Sequence, residues 1–176
     1  MQFARDHAMT ALIFGAFASS WFGWAQERPP RALVRPLIAG AVLSLAVAVT
    51  GGVLAVLHWS TGSALSEPGA MKRYGVIVGI EFGVAAFGVL ALALRKQAHL
   101  FPTWVCLVVG VHFWPMAPVL RSPALRVLAV VMVVVALAAW LVARRWKLPL
   151  SATTGVGAGV TLLIAAALAL LGAATS

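Results

Sequence analysis

A compact bundle of six transmembrane helices is the fold class this sequence predicts, and three observations carry it. Of 176 residues, 62% are apolar and 10% charged, with a mean hydropathy of +1.02. Soluble domains run near roughly 45–50% and 25%, and so few charges cannot coat a soluble surface. Six apolar runs, 8–25, 33–57, 75–94, 102–119, 124–143 and 151–174, approximate the length of about 20 residues that crosses a bilayer. Finally, the thirteen Lys and Arg that outweigh four acids lie almost entirely between those runs. The formal charge of +9 therefore reads as topology and headgroup signals, not as a nucleic-acid footprint. A transmembrane barrel would alternate apolar and polar residues, and these runs are apolar on every face.

The first run follows Arg5 and contains Ala16-Phe17-Ala18, a small-x-small pattern of the kind signal peptidases cut. Asp6 cancels the Arg5 charge, and the apolar stretch continues through Trp21, Phe22 and Trp24, so a retained helix is expected. Glu27-Arg28-Pro29-Pro30-Arg31 stops it. The second run ends before the longest connection, which carries Ser60-Thr61-Gly62-Ser63 and Glu67-Pro68-Gly69. Arg95-Lys96-Gln97, Arg121-Ser122-Pro123 and Arg144-Arg145-Trp146-Lys147 separate the remaining runs. What lies outside the runs is too short for a soluble domain, so one transmembrane domain over 1–176 is expected. Trp21, Trp24, Trp59, Trp104, Trp140 and Trp146 lie near run ends, where an amphipathic ring suits the headgroup layer.

Orientation follows from the cations. One side of the bundle holds Arg5, Lys72, Arg73, Arg121 and Arg126. The other holds Arg28, Arg31, Arg35, Arg95, Lys96, Arg144, Arg145 and Lys147, and the positive-inside rule puts that richer side in the cytoplasm. The expectation is a multi-pass protein of the cell membrane with both termini non-cytoplasmic.

Helix association in lipid relies on close packing at small residues. Gly15/Ser19/Gly23, Gly40/Ser44/Ala48/Gly52 and Gly75/Gly79/Gly83 each form such a stripe. Ala85 and Gly88 add small residues on the opposite face of the third helix, which predicts a central position for it.

Few residues are available for chemistry. A lone cysteine, Cys106, excludes an internal disulfide, a CxxC redox pair and Cys-rich structural zinc. Three of the four acids lie at run ends or in connections, whereas Glu81 lies near the middle of the third run. An ionisable group there costs on the order of 3 kcal/mol on insertion scales, so it faces protein or water. His112 is the matching residue of the fourth run, in Val109-Gly110-Val111-His112-Phe113-Trp114-Pro115-Met116-Ala117-Pro118. Pro115 and Pro118 cannot donate to the carbonyls of Val111 and Trp114, which predicts a helix break beside the histidine. His7, His58 and His99 fall at run ends or in connections, so bis-histidine haem lacks a second deep ligand. A hydrolytic zinc site needs three protein ligands, and Glu81 with His112 supply two. No catalytic set, metal or cofactor is expected.

The third and fourth runs are joined by a short connection and are therefore expected as antiparallel neighbours. Counted from that connection at about 1.5 Å per residue, Glu81 lies roughly 20 Å and His112 roughly 15 Å along their helices. The two side chains are within reach if their faces match.

Val109-Gly110-x-His112-Phe113-x-Pro115-x-Ala117 resembles a stretch of small bacterial integral membrane proteins of unknown function, in which Gly-x-His-Phe-x-Pro follows a helix carrying a glutamate. The resemblance spans residues 70–120. It implies a six-helix or similar small bundle and brings no activity with it.

The functional expectation is movement of protons, ions or a small solute through a polar centre at Glu81 and His112. One alternative is a non-catalytic accessory, lipid-binding or assembly protein, and another is a membrane-embedded enzyme acting on lipid. Expected partners are the bilayer, anionic headgroups at the basic loops, and further copies or other chains in an oligomer. Nucleic acid is not expected.

Overall fold

Residues 3–175 are described by a computed structural model of the chain. Its long helices are α1 (Ala4–Ala25), α2 (Val34–Leu57), α3 (Ala70–Leu94), α4 (Phe101–Val119), α5 (Ala124–Trp146) and α6 (Leu150–Ala174). All six are long and apolar enough to span a membrane, and no strand occurs among the described residues. The protein is a multi-pass helical bundle. Short 3-10 turns at Arg31–Leu33, Trp59–Thr61, Ala64–Ser66 and Ala98–Leu100 fill three of the connections.

Helix α1 is the hub, packed along both α2 and α6. Its buried residues Ala4, Ala8, Ala11, Gly15, Ala18, Phe22 and Ala25 alternate by four and three, which makes a single seam of small side chains. Ser44, Ala48, Gly51 and Ala55 form the matching seam of α2. A Cβ on Gly15 would lie 2.8 Å from the Ser44 carbonyl oxygen, and one on Gly51 would lie 2.6 Å from the Leu12 amide nitrogen. Backbone meets backbone at both places, so glycine is required there. On α6, Gly155 sits equally close to Trp21 and Ala25, while Gly159 faces the Phe22 ring. The α2 stripe read from sequence is thus used, with Gly51 making the closest approach in place of Gly52; of the α1 stripe only Gly15 lies in the seam, which runs on through Ala18 and Phe22, and Gly23 faces open space.

Helices α4, α5 and α6 complete the core through Cys106, Phe113, Met116, Leu128, Met132, Ala158 and Leu162. Gly110 lies against the backbone of Val133, and buried Thr154 meets Thr103 at 3.2 Å between their hydroxyl oxygens. Phe113 reaches Phe14 edge to face at 5.4 Å, which ties α4 to the hub.

Two tight connections and one short linker close with a basic residue in the left-handed region. Lys96, Arg121 and Lys147 have φ of 58°, 48° and 51°. In each case the next amide donates back into the preceding helix: Gln97 to Leu92, Ser122 to Ala117 and Leu148 to Ala143. This is the usual way of satisfying orphan helix carbonyls, here with a cation at the negative end of the helix.

Three expectations are corrected. Helix α3 is peripheral rather than central: Ala70 is its one buried residue, and α4 is the helix it packs along. Within this chain no helix fills the Gly75/Gly79/Gly83 groove, since a Cβ at any of the three would meet nothing within 4 Å. The pattern misleads because four-residue spacing of small residues does not fix whether the chain itself covers that face. Pro115 and Pro118 do not break α4, which stays helical to Val119. Each withholds a single amide, from the Val111 and Trp114 carbonyls, and both sit in the last turns, where the Ala117 carbonyl is capped by Ser122.

The contrast between filled and empty glycine faces is testable in detergent. Gly51→Ala should lose about 1–3 kcal/mol of stability, because an added methyl overlaps the α1 backbone. Gly79→Leu should leave the melting temperature of the monomer unchanged. A thermal-shift comparison of the two against wild type checks both.

Candidate functional site

The seam between α3 and α4 holds the deepest ionisable residues. Glu81 lies near the midpoint of α3 and His112 near that of α4. The structure brings them together: His112 Nδ1 is 3.3 Å from Glu81 Oε1, with both side chains largely shielded at 14% and 13% exposure. Their faces match because α3 presents Ile77, Glu81, Ala85 and Gly88 to α4, one position per turn.

The same Nδ1 donates to the Val109 carbonyl at 2.7 Å. A carbonyl accepts only, so this nitrogen carries the proton and directs it at Val109, with the Glu81 carboxyl oxygen beside it at 3.3 Å. Nε2 is left as the position where a proton is added or removed while the Nδ1 contacts stay in place. With the carboxylate ionised and the imidazole neutral, the site has a net charge of −1; one added proton makes it neutral overall. The ring also lies against Phe113, with centroids 4.3 Å apart.

About two turns further along, Trp104 fastens the seam. Its indole lies over Gly88, where any side chain would overlap it, and its Nε1–H donates to the Ala85 carbonyl at 3.2 Å. An interfacial anchor was the expectation for this tryptophan, and an interhelical clamp is what the fold makes of it. The absence of a Cβ at Gly88 is the sequence signal that accompanies it.

Near the other end of α3, polar contacts tie down the long connection. Asp6, expected at the margin of the first run, is buried in the first turn of α1 and accepts the Ala64 amide at 2.8 Å. Arg5 donates to the Trp59 carbonyl at 3.3 Å and stacks over the Trp59 ring at 3.8 Å. Glu67 pairs with Arg121 of the α4–α5 turn. The Arg5-Asp6 dipeptide was legible only as charge cancellation; its tethering role depends on a loop more than fifty positions away.

Two apolar grooves flank the Glu81–His112 pair along the seam. One, of about 480 Å³, is walled by Phe87, Leu92 and Trp104. The other, of about 460 Å³, runs past Val76, Ile77, Pro115 and Val119 to Lys72 and Arg73. No group of three or more His, Cys, Asp or Glu that could hold a metal ion occurs among the described residues. Buried Cys106 points its thiol at the Met132 carbonyl, 3.6 Å away, as a core side chain.

Comparison with protein-family models, with curated proteins and with solved structures finds no match. The reading of the site rests on its own geometry.

Trp104→Phe removes one hydrogen bond, at about 0.6 kcal/mol, together with the part of the indole that lies over Gly88, so a stability loss above that figure is expected. Trp104→Ala also opens the seam. Amide exchange in α3 should then accelerate ahead of that in α1, α2 and α6, as measured by hydrogen–deuterium exchange in nanodiscs.

Proposed function

We propose that this protein moves protons, or a small solute coupled to them, across the membrane, with Glu81 and His112 as the proton-exchanging centre. The observation that carries the reading is the 3.3 Å contact between two ionisable side chains from different helices at mid-depth. Ionisable residues within membrane helices are costly and mark proton relays and substrate paths. Helix α3 is held mainly by α4, so it is the element best placed to shift when the charge of the site changes. Such movement would open either side of the pair to water in turn.

A non-catalytic membrane subunit is the second reading. The empty Gly75/Gly79/Gly83 face favours it, because a helix of another chain can approach closely there.

We further propose that both termini lie outside the cytoplasm, on the basic-residue bias. A Thr175→Cys probe in a Cys106→Ala background should react with an impermeant maleimide added to whole cells. Protection until the cells are lysed overturns that orientation.

Proton flux into liposomes of the purified protein tests the main reading. Glu81→Gln and His112→Gln should each cut flux at least tenfold while the melting temperature stays within a few degrees. Flux equal to protein-free liposomes in the wild type, or equal losses of stability and flux in both variants, assigns the pair to structure.

A further inference from the structure

The groove at the N-terminal end of α3 combines two features that nothing in the proton reading uses. Its walls are apolar: Val76 and Ile77 on α3, Val119 on α4, and the rings of Pro115 and Pro118, which offer methylenes and no N–H. Its outer end carries Lys72 and Arg73, both exposed, and neither is paired with a carboxylate among the described residues. The nearby acid, Glu67, is engaged by Arg121.

Depth orders these parts. Lys72 and Arg73 occupy the first turn of α3, the end of a 25-residue span whose length puts its termini at the edges of a hydrocarbon core about 30 Å thick, and Val76 and Ile77 lie one turn deeper. Glu81 follows a further turn on, so the path from Lys72 to the polar pair is about 13 Å at 1.5 Å per residue. That is close to one leaflet of a hydrocarbon core roughly 30 Å thick. Cations at headgroup depth above an apolar channel of leaflet length match an anionic amphiphile in both charge and length. A soluble anion has no use for the walls, and a zwitterionic lipid leaves the two cations without a net counter-charge.

We propose that this groove is a binding site for one anionic phospholipid, its phosphate on Lys72 and Arg73 and an acyl chain laid along Val76, Ile77 and Val119 towards the Glu81–His112 pair. The volume of about 460 Å³ suits part of one acyl chain and not a whole lipid, so the second chain stays in the bilayer. The bound lipid packs the side of the α3–α4 seam that the protein itself leaves open. This inference goes beyond the proton reading, and its readout is binding rather than flux, so each succeeds or fails without the other.

The test uses the full chain in a neutral maltoside detergent, titrated with dioleoyl phosphatidylglycerol. Thermal shift and native mass spectrometry follow stabilisation and the number of lipids retained. One phosphatidylglycerol should be retained with a rise in melting temperature of several degrees. Phosphatidylcholine with the same chains, and millimolar inorganic phosphate, should give neither. Lys72→Gln/Arg73→Gln should weaken binding roughly thirty-fold. Arg95→Gln/Lys96→Gln, which removes the same charge from the other end of α3, should bind as wild type. Val76→Trp, which blocks the groove at a residue 53% exposed, should abolish retention with both cations intact. Equal stabilisation by phosphatidylcholine or by phosphate overturns the proposal, as does wild-type binding by Lys72→Gln/Arg73→Gln or by Val76→Trp.

Discussion

Lipid tails are as apolar as leucine, so burying a leucine between two membrane helices gains little that lipid does not already provide. What lipid cannot match is backbone-to-backbone approach, and the bundle is organised around the helix that makes most of it. Helix α1 has an alanine at five of the seven positions of its buried seam, with Gly15 and Phe22 at the others. Its neighbours bring Gly51, Gly155 and Gly159 to meet it. Each of these contacts requires that no Cβ intervene, so the order of α2, α1 and α6 follows from where the glycines fall. The larger core side chains of α4 and α5 fill the space that remains beside this framework.

Helix α3 is attached by different means. Its packing on α4 involves a carboxylate, an imidazole, an indole N–H and a glycine, with an ion pair and a buried aspartate fixing the loop that leads into it. Such contacts are individually modest in membranes, at about 0.6 kcal/mol for an average interhelical hydrogen bond. In the proton-transport reading, a helix held by a few such contacts is the element whose position a change of charge would shift. The Glu81–His112 pair therefore lies at the seam between the peripheral helix α3 and the rest of the bundle. Placing it there also reduces the penalty of Glu81, since the imidazole takes the place of the water that hydrocarbon denies it.

Much of this was legible in the sequence because the bilayer imposes length and hydropathy so strictly. The six helices, the α2 stripe and the relative depth of Glu81 and His112 all follow from run length, spacing and rise per residue. Helix ends shift where charged residues extend a helix beyond the apolar run: α3 begins at Ala70, taking in Lys72 and Arg73, and α5 continues through Arg144 and Arg145 to Trp146. Position within the bundle was not legible. The stripes of α2 and α3 look alike as strings, and only the fold shows that one is filled and the other empty. Trp104 and Asp6 were misplaced for the same reason, since each acts on a partner that is distant in the chain and adjacent only after packing.

The claim on which the account stands is that Glu81 acts on His112 within the membrane. Nitrogen NMR of histidine-labelled protein in bilayers reads that contact directly, because the ring nitrogens report both tautomer and hydrogen bonding. The account predicts an Nδ1-protonated ring for His112 whose resonances move in Glu81→Gln, while those of His7, His58 and His99 stay in place. His112 resonances identical in wild type and Glu81→Gln would contradict it.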